Sequence, residues 1–304
     1  MSSKSVPSTV TAIVPVRNRR VMTLRCLDTL SRQTYPALNV VVVDANSTDG
    51  TTEAIRKAYP EVEVCPAGDG DYWAGATNIG VRHALAGGSE WLLTINDDSV
   101  IAPEHVERLL QLAIVNNCSI LGSQINYLSA PARIWSLGAF NIWGGSELLR
   151  LAHHGEFTAD LPSSVVGRAV LPVDALPGNG VLIHHSVFRR VGLYNALFLP
   201  HYHADSEFVM RAVACGIKAW VTPQVVLLND FSPRQKKLPL RGFRGLLWSL
   251  GHPKSHLYLP SLLYIYLRYC PARLKVGSFA ALAHRFLAMG PLSSRRGAAL
   301  RSRR

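Results

Sequence analysis

The tripeptide Asn96-Asp97-Asp98 has the residue types needed to bind a divalent cation and a diphosphate, and it directly follows an apolar run at residues 91–95. Two adjacent carboxylates repel each other unless a cation or hydrogen-bond donors compensate. Mg²⁺ in proteins is typically held by one or two carboxylates together with substrate phosphates. The tripeptide therefore indicates a metal–diphosphate site, and solvated acids at a helix N-terminus are the alternative interpretation.

A second acidic cluster, at residues 201–208, contains Asp205 and Glu207. These acids are two positions apart, so they do not share one face of a helix. One of them can point into a cleft as a general base for a bound hydroxyl. The other can cap the helix or pair with Arg211, which is four residues after Glu207. Ordinary capping acids are again the alternative.

Two further segments combine glycine with residues that can contact a ligand. Gly178-Asn179-Gly180 lies between two apolar stretches, where glycine would let a ligand or another backbone approach closely; a plain turn is the alternative. Trp73 stands before small residues and after a polar loop. This position suits either a sugar platform or lid, or a tryptophan packed in the core.

The elements that must position these residues alternate between strand and helix in the first hundred residues. Apolar, β-branched runs predict strands at residues 11–16, 40–43, 61–65 and 91–95. Helical spacing and N-cap signals predict helices at residues 21–33, 52–58 and 78–85. This alternation predicts a mostly parallel sheet that is covered by helices on both faces.

Polar residues follow the predicted strands at residues 17–18, 44, 69–71 and 97–98. Because ligands in open α/β sheets bind outside the carboxyl ends of the strands, these four places should converge on one site. Later in the chain, a helix is predicted from Ala204 to about Cys215, where Gly216 ends it. Two short strands are predicted to follow, at residues 220–221 and 225–228.

The composition, with 48% hydrophobic and 17% charged residues, excludes a disordered chain and a disulfide-dense miniprotein. The formal net charge is +12, but residues 1–230 sum to −3 and residues 231–304 to +15. A near-neutral domain with a cationic tail is therefore expected, without a nucleic-acid partner.

The five scattered cysteines indicate neither a disulfide framework nor a zinc site. With no apparent secretory signal and no apolar run long enough to span a bilayer, a cytoplasmic protein is expected.

Taken together, residues 10–232 resemble family 2 glycosyltransferases of the GT-A fold, in particular rhamnosyltransferase-like and galactofuranosyltransferase-like members. The resemblance implies an α/β fold, with a mostly parallel sheet flanked by helices. It also implies a GT-A catalytic domain at residues 1–230, with a Rossmann-like nucleotide-sugar half at about 10–117 and an acceptor half at 118–230. A basic, amphipathic helical extension would follow at residues 231–304.

The family motifs imply roles for named residues. Residues 13–18 resemble the first strand that holds the nucleobase, residues 42–50 the second-strand motif, residues 73–80 the helix start beside the diphosphate, and residues 96–98 the DxD motif. The nucleotide-sugar contacts implied in this way are Pro15, Val16, Arg17, Asn18, Asp44, Trp73, Gly75, Asn78, Asn96 and Asp97.

The resemblance implies a cofactor, Mg²⁺ or Mn²⁺, bound by Asp98 and Asp97, with Asn229 at the place where many members carry a metal-ligating histidine. Residues 203–208 resemble the family's ADxEF motif, which puts Asp205 at the catalytic base. The acceptor-side residues implied by the motifs are Gly178, Asn179, Gly180, His203 and Glu207.

The activity implied is an inverting, metal-dependent transfer of a hexosyl or deoxyhexosyl group. The donor would be a UDP- or dTDP-linked sugar, and the acceptor a hydroxyl of a glycan or lipid-linked molecule in cell-surface polysaccharide synthesis. A sugar-nucleotide nucleotidyltransferase would need a glycine-rich loop after the first strand, and residues 16–20 contain no glycine. A non-catalytic membrane-binding adaptor is the other alternative, but it would not explain why acidic residues follow the predicted strands.

The segment 241–290 mixes aliphatic and aromatic residues with Arg and Lys. Such a pattern suits interfacial helices on an anionic membrane surface, and it predicts a peripheral protein on the inner face of the cell membrane. The alternative is that these helices pack back on the catalytic domain.

Overall fold

The fold is built on a ten-stranded mixed sheet, seen in a computed structural model that describes residues 8–145, 147–231 and 243–289. In these residues the strands are β1 (Val10–Val16), β2 (Leu38–Asp44), β3 (Glu63–Pro66), β4 (Trp91–Thr94), β5 (Ser99–Ile101), β6 (Ile120–Tyr127), β7 (Ala130–Ser136), β8 (Ala139–Asn141), β9 (Leu149–Leu151), β10 (Leu171–Val173), β11 (Val181–His184) and β12 (Ala219–Asn229). The helices are α1 (Arg20–Ser31), α2 (Thr51–Ala58), α3 (Tyr72–Ala86), α4 (His105–Val115), α5 (Ser163–Val166), α6 (His185–Val191), α7 (Ala204–Ala214), α8 (Phe243–Gly251), α9 (Leu259–Tyr269) and α10 (Ala272–Met289).

The strand order along the sheet is β10-β12-β6-β11-β4-β1-β2-β3, with β5 paired to β12 and β7 to β6. Strands β4, β1, β2 and β3 are parallel, and so are β6 and β12. Strand β11 lies antiparallel between β4 and β6 and separates these two parallel sets. The predicted α/β fold, with a largely parallel sheet flanked by helices, is confirmed.

Helices cover both faces of the sheet, which explains why the central strands are apolar throughout. Successive side chains of a strand point to opposite faces. Ile13 belongs to the apolar cluster shared with α3, whereas Val14 belongs to the cluster shared with α1, α2 and α4. Helix α3 packs very closely, because a Cβ atom built on its Gly80 would overlap Ile13 and lie 3.1 Å from Cγ2 of Val43.

Two element boundaries differ from the sequence predictions for local reasons. Helix α3 begins at Tyr72 instead of residue 78, because the Gly- and Ala-rich residues between the polar loop and the predicted helix are themselves helical. The two strands predicted at 220–221 and 225–228 are one strand, β12. Its register with β6 shifts between Thr222 and Val226, and Pro223, which has no N–H to donate, lies in this gap.

The described part of the C-terminal extension packs on the rest of the protein. Ile265 and Tyr266 of α9 are fully buried, in the same apolar cluster as Phe208 of α7. Among the described helices, none is both long enough and apolar enough to cross a bilayer. Residues 232–242 and 290–304, which carry part of the predicted basic tail, lie outside the described residues. The predicted contact with a membrane surface stays a prediction.

Candidate active site

The predicted metal ligands Asp97 and Asp98 lie in the turn between β4 and β5, at the carboxyl edge of the sheet. Their exposed fractions are only 4% and 7%. Because β1 and β4 are parallel neighbours, Arg19, in the loop after β1, reaches both acids. Its Nε lies 3.1 Å from Oδ2 of Asp97, and its Nη2 lies 2.7 Å from Oδ2 of Asp98. Burial raises the pKa of Asp97 to about 7; Arg19 opposes this rise and the charge of Asp98 adds to it.

The acidic pair fits a divalent cation. Oδ1 of Asp98 is buried and has no hydrogen-bond partner among the described residues. A buried oxygen without a partner is unfavourable, and a cation would satisfy it. The residues described contain no group of three or more His, Cys, Asp or Glu side chains that could hold a metal. Two carboxylates with further ligands from substrate phosphates match the coordination that Mg²⁺ prefers.

Asn179 and Asn229, predicted as an acceptor contact and a metal ligand, form a buried network beneath this turn. Oδ1 of Asn179 accepts a hydrogen bond from the backbone N–H of Asn96 at 2.8 Å and lies 2.9 Å from the Ser99 hydroxyl. Oδ1 of Asn229 accepts a hydrogen bond from Nδ2 of Asn179 at 2.8 Å. Since this oxygen already accepts a hydrogen bond within the network, the geometry favours a role for Asn229 in positioning Asn179 beneath the turn over direct ligation of a metal.

The predicted base, Asp205, lies in the first turn of α7 with its carboxylate fixed by two backbone donors. The N–H of Gly178 donates to Oδ2 at 2.6 Å, and the N–H of Ser206 donates to Oδ1 at 2.7 Å. Burial raises the pKa of Asp205, and the two N–H groups together with the neighbouring His203 oppose that rise without cancelling it. A fixed carboxylate with a raised pKa is suited to accept a proton.

Trp73 connects the base to the acidic pair. A Cβ atom built on Gly178 would lie 2.5 Å from Cη2 of Trp73 and 3.0 Å from Cβ of Asp205, so only glycine fits between them. On its other side, Nε1 of Trp73 donates a hydrogen bond of 3.1 Å to Oδ1 of Asn96. One continuous series of contacts therefore runs from Asp205 to the residue that precedes Asp97.

The ends of β1 and β2 are joined through their loops, as the sequence predicted for residues of one site. Oδ1 of Asn18 accepts a hydrogen bond from the N–H of Thr48 at 2.7 Å. Arg17 forms an ion pair of 2.8 Å with Asp69. Asp44 accepts hydrogen bonds from the N–H of Ser47, at 2.9 Å, and from the Thr52 hydroxyl. The Asp44 carboxylate thus shapes the loop that follows β2.

Backbone conformation also marks this edge of the sheet. Among the non-glycine residues described, left-handed φ values occur at six positions, and four of these lie in the loops around the site or at the first residue of a helix there: Asn18, Asn46, Tyr72 and His203. Such conformations are unfavourable for L-residues and cluster at functional sites. Their concentration here supports the site that the side chains define.

Two residues predicted as ligand contacts have side chains that bind other parts of the protein. Asn78 is buried, and its amide forms two hydrogen bonds with the backbone of Tyr194, at 2.8 and 2.9 Å. Glu207 is fully buried and pairs with Arg211 at 3.1 Å. Its Oε1 also accepts a hydrogen bond of 2.6 Å from the hydroxyl of Tyr269 in α9. Both side chains thus have hydrogen-bond partners inside the protein, and their predicted contacts with substrate stay predictions.

The remaining predicted residues surround this site or support it. Gly75 packs against Asp71, since a Cβ atom there would lie 2.9 Å from Oδ1 of that residue. Gly180 has a left-handed φ of 70° at the start of β11. His203 adopts a left-handed φ, and its Nε2 lies 3.1 Å from the backbone oxygen of His256 in the extension. Sequence reasoning missed Arg19, because no local pattern distinguishes it from the neighbouring arginines.

A family model described as "Glycosyl transferase family 2" matches residues 11–163, which is half of the chain. The chain is 24% identical over 244 residues to the succinoglycan biosynthesis protein ExoA of Rhizobium meliloti, covering 79% of this chain and 68% of that protein. It is 29% identical over 121 residues to an uncharacterized glycosyltransferase of Haemophilus influenzae, covering 40% of this chain and 38% of that protein.

Two solved structures share the fold. GalNAc-T7, crystallised with UDP, GalNAc and Mn²⁺, aligns with a TM-score of 0.59 at 16% identity, over 74% of this chain and 44% of that chain. TarS 1–349 of S. aureus, in complex with UDP, aligns with a TM-score of 0.50 at 15% identity, over 74% of this chain and 61% of that chain. The chain thus spans less than half of the Haemophilus influenzae protein and of the GalNAc-T7 chain.

Proposed function

Because this chain belongs to glycosyl transferase family 2, we propose that it moves a sugar from a nucleoside-diphosphate sugar to an acceptor hydroxyl, with inversion at the anomeric carbon. The observation that carries this proposal is the series of contacts Asp205–Gly178–Trp73–Asn96. These contacts would hold Asp205, as the general base, in a fixed position relative to the acidic pair Asp97 and Asp98, which would bind the metal and the diphosphate. Donor and acceptor held in this way react as if within one molecule.

The donor side of the proposal rests on Asp97 and Asp98. These carboxylates would hold Mg²⁺ or Mn²⁺, which supplies positive charge that stabilises the departing diphosphate. The unpartnered Oδ1 of Asp98 supports this assignment. The presence of UDP and Mn²⁺ in the structure of GalNAc-T7, and of UDP in that of TarS, supports a nucleoside-diphosphate donor of the UDP or dTDP type.

The acceptor side rests on Asp205. Its ionised carboxylate takes the proton of the acceptor hydroxyl while that oxygen bonds to the anomeric carbon, and the bond from this carbon to the diphosphate breaks on the opposite face. The N–H groups of Gly178 and Ser206 hold the carboxylate in one orientation. A single displacement needs no carboxylate nucleophile, and it inverts the configuration.

The acceptor we propose is a glycan or a lipid-linked molecule in cell-surface polysaccharide synthesis, and the transferred group is a hexose or deoxyhexose. Similarity to a protein named for succinoglycan biosynthesis supports a polysaccharide role. The loops at the start of α7 and before β11 would surround the acceptor, since Gly178 and Asp205 lie there in contact.

We further propose that the extension holds the enzyme peripherally on the inner face of the cell membrane. On α9 and α10, Leu263, Leu267 and Val276 are exposed although they are apolar. Arg268, Arg273 and Lys275 accompany them, and residues 231–304 contain no acid. Apolar side chains flanked by cations suit an anionic lipid surface.

The test is a screen of UDP- and dTDP-sugars, with Mn²⁺ or Mg²⁺, and with glycan and lipid-linked acceptors. We expect one donor to release its nucleoside diphosphate only in the presence of an acceptor, which gains the sugar with an inverted anomeric configuration. Absence of donor binding and of release across the panel would contradict the proposal. Release of pyrophosphate from a nucleoside triphosphate and a sugar phosphate would indicate nucleotidyl transfer instead.

A further inference from the structure

Arg19 pairs with both carboxylates of the candidate metal site, at 3.1 Å from Asp97 and 2.7 Å from Asp98. We propose that Arg19 is an exchangeable cation. In the ligand-free enzyme the guanidinium of Arg19 forms ion pairs with Asp97 and Asp98. When substrate binds, the metal replaces the guanidinium at these two carboxylates, and the guanidinium then forms an ion pair with the donor diphosphate. The inference rests on the proposed function, and it assigns to Arg19 a direct contact with the donor diphosphate.

The geometry puts the guanidinium and a bound divalent cation in competition. Arg19 contacts Oδ2 of Asp98, while the oxygen left without a partner is Oδ1 of the same carboxylate. A cation on Oδ1 would therefore lie within a few ångströms of the guanidinium, in a site where both acids are almost fully buried. Like charges at that separation repel strongly in such surroundings. Each cation must weaken the binding of the other, because coupling between two ligands is reciprocal.

The contacts of Arg19 are those of a side chain that can change partners. Besides the two carboxylates, its Nη2 lies 3.0 Å from Sδ of Met22, and a thioether is a weak acceptor. Arg211 differs, since it binds Glu207 and also donates to the backbone carbonyls of Val191 and Leu193. Backbone carbonyls stay in place when substrate binds, whereas the acidic pair changes its ligand.

A guanidinium that loses its carboxylates needs another anion, because a charge left unpaired in a partly buried site is unfavourable. The donor diphosphate is the anion that would arrive together with the metal. The proposal therefore predicts effects of opposite sign when the guanidinium is removed. The metal alone should bind more tightly, since it no longer displaces a competitor, and the nucleoside diphosphate should bind more weakly once metal is present.

The experiment compares wild type and Arg19→Met by calorimetry, with thermal melting to establish that both are folded. Mn²⁺ is first titrated alone, and UDP is then titrated at saturating Mn²⁺. We expect Arg19→Met to bind Mn²⁺ on the order of tenfold more tightly and UDP on the order of tenfold more weakly. Arg19→Lys keeps the positive charge and should stay near wild type toward Mn²⁺, which gives a second variant if the first does not fold.

Arg25→Met is the matched control, because Arg25 lies on α1, the helix that directly follows Arg19, and pairs with Asp230 at 3.0 Å. This variant removes one positive charge near the site but leaves the acidic pair with Arg19, so both affinities should change little. The proposal is overturned if Arg19→Met binds Mn²⁺ no more tightly than wild type, or if both affinities move in the same direction. Failure of the proposed function would show as no UDP binding by wild type, and the Mn²⁺ titration would still decide whether Arg19 competes.

Discussion

The backbone of Gly178 lies against the indole of Trp73 with no room for a side chain between them. A Cβ atom on Gly178 would lie 2.5 Å from Cη2 of the indole, and the N–H of the same glycine donates to the carboxylate of Asp205. The glycine thus contacts the proposed base and the residue that binds the turn of the acidic pair. In the proposed mechanism, the distance between the donor and acceptor sites would depend on this contact.

Gly178→Ala should lower turnover by about tenfold or more, because small displacements of reacting groups have large effects on rate. Crowding Trp73 should also lower the free energy of unfolding by about 1–3 kcal/mol. Product formation and thermal melting measure the two effects. Gly70→Ala is the control, since no atom lies within 4 Å of a Cβ atom at that exposed position. Wild-type turnover in Gly178→Ala would show that the contact does not set the geometry of the site.

Asp205→Asn should lose transfer by on the order of 10²–10⁴-fold, because the amide cannot take the proton of the acceptor hydroxyl. Donor affinity, measured by titration with the donor, should remain. Asp174→Asn is a matched control, because Asp174 also accepts a backbone N–H, from Asn141 at 3.0 Å. Normal transfer by Asp205→Asn would remove Asp205 from the role of base.

The pH dependence of turnover should report the raised pKa of Asp205. Burial raises this pKa, and the base must be ionised to accept a proton, so turnover should fall as the pH falls through the raised value. We therefore expect the acid limb of kcat, at saturating donor and acceptor, to lie above the ordinary aspartate pKa of about 3.9. An acid limb at or below that value would contradict the assignment.

Asp98→Ala should abolish the effect of metal on nucleotide binding. Its Oδ1 is the buried oxygen that a cation would satisfy. UDP affinity measured with and without Mn²⁺ should differ for wild type and be the same for the variant. Asp28→Ala tests for a non-specific loss of negative charge, because Asp28 forms an exposed ion pair with Arg32. If Mn²⁺ still raised the UDP affinity of Asp98→Ala, the carboxylate would not be a metal ligand.

Leu267→Glu should weaken co-sedimentation with anionic liposomes by about fivefold or more, since it removes an apolar anchor and adds a charge of the same sign as the lipid. Leu267 is 59% exposed on α9. Val21→Glu is the matched control, because Val21 is an apolar residue of α1 with 77% exposure. Equal loss of binding in both variants, or no loss in either, would contradict a membrane surface on the extension.

The core of the fold could be predicted because its signals are local. Strands β1, β2 and β4 are apolar on both faces, and a strand covered on both faces needs that pattern. The first residue of α3 could not be predicted from a local pattern. Tyr72 has a left-handed φ of 43°, and the Gly- and Ala-containing sequence after it is not typical of a helix start. Two separate strands were predicted on either side of Pro223, but β12 continues past this residue with a shift in register.

The residue types of the site could be predicted, but not where each side chain points. The two acidic clusters, together with the resemblance to family 2 glycosyltransferases, predict Asp97, Asp98 and Asp205 as site residues, and these assignments stay predictions. Motif position suggested that Glu207 faces the acceptor, yet its partner Tyr269 is 62 residues away in sequence. Arg19 is 79 residues from Asp98, and only the neighbouring positions of β1 and β4 bring the two together.

The burial of Ile265 and Tyr266 bears on how the protein can be produced. The change in charge near residue 230 makes that position an obvious place to end a shortened recombinant fragment. However, such a fragment would lack α9 and would expose to water the apolar surface that these two side chains cover. Exposed apolar surface of this kind promotes aggregation. The whole polypeptide is therefore the form to purify, and insolubility of a fragment ending at residue 230 would say nothing about the catalytic site.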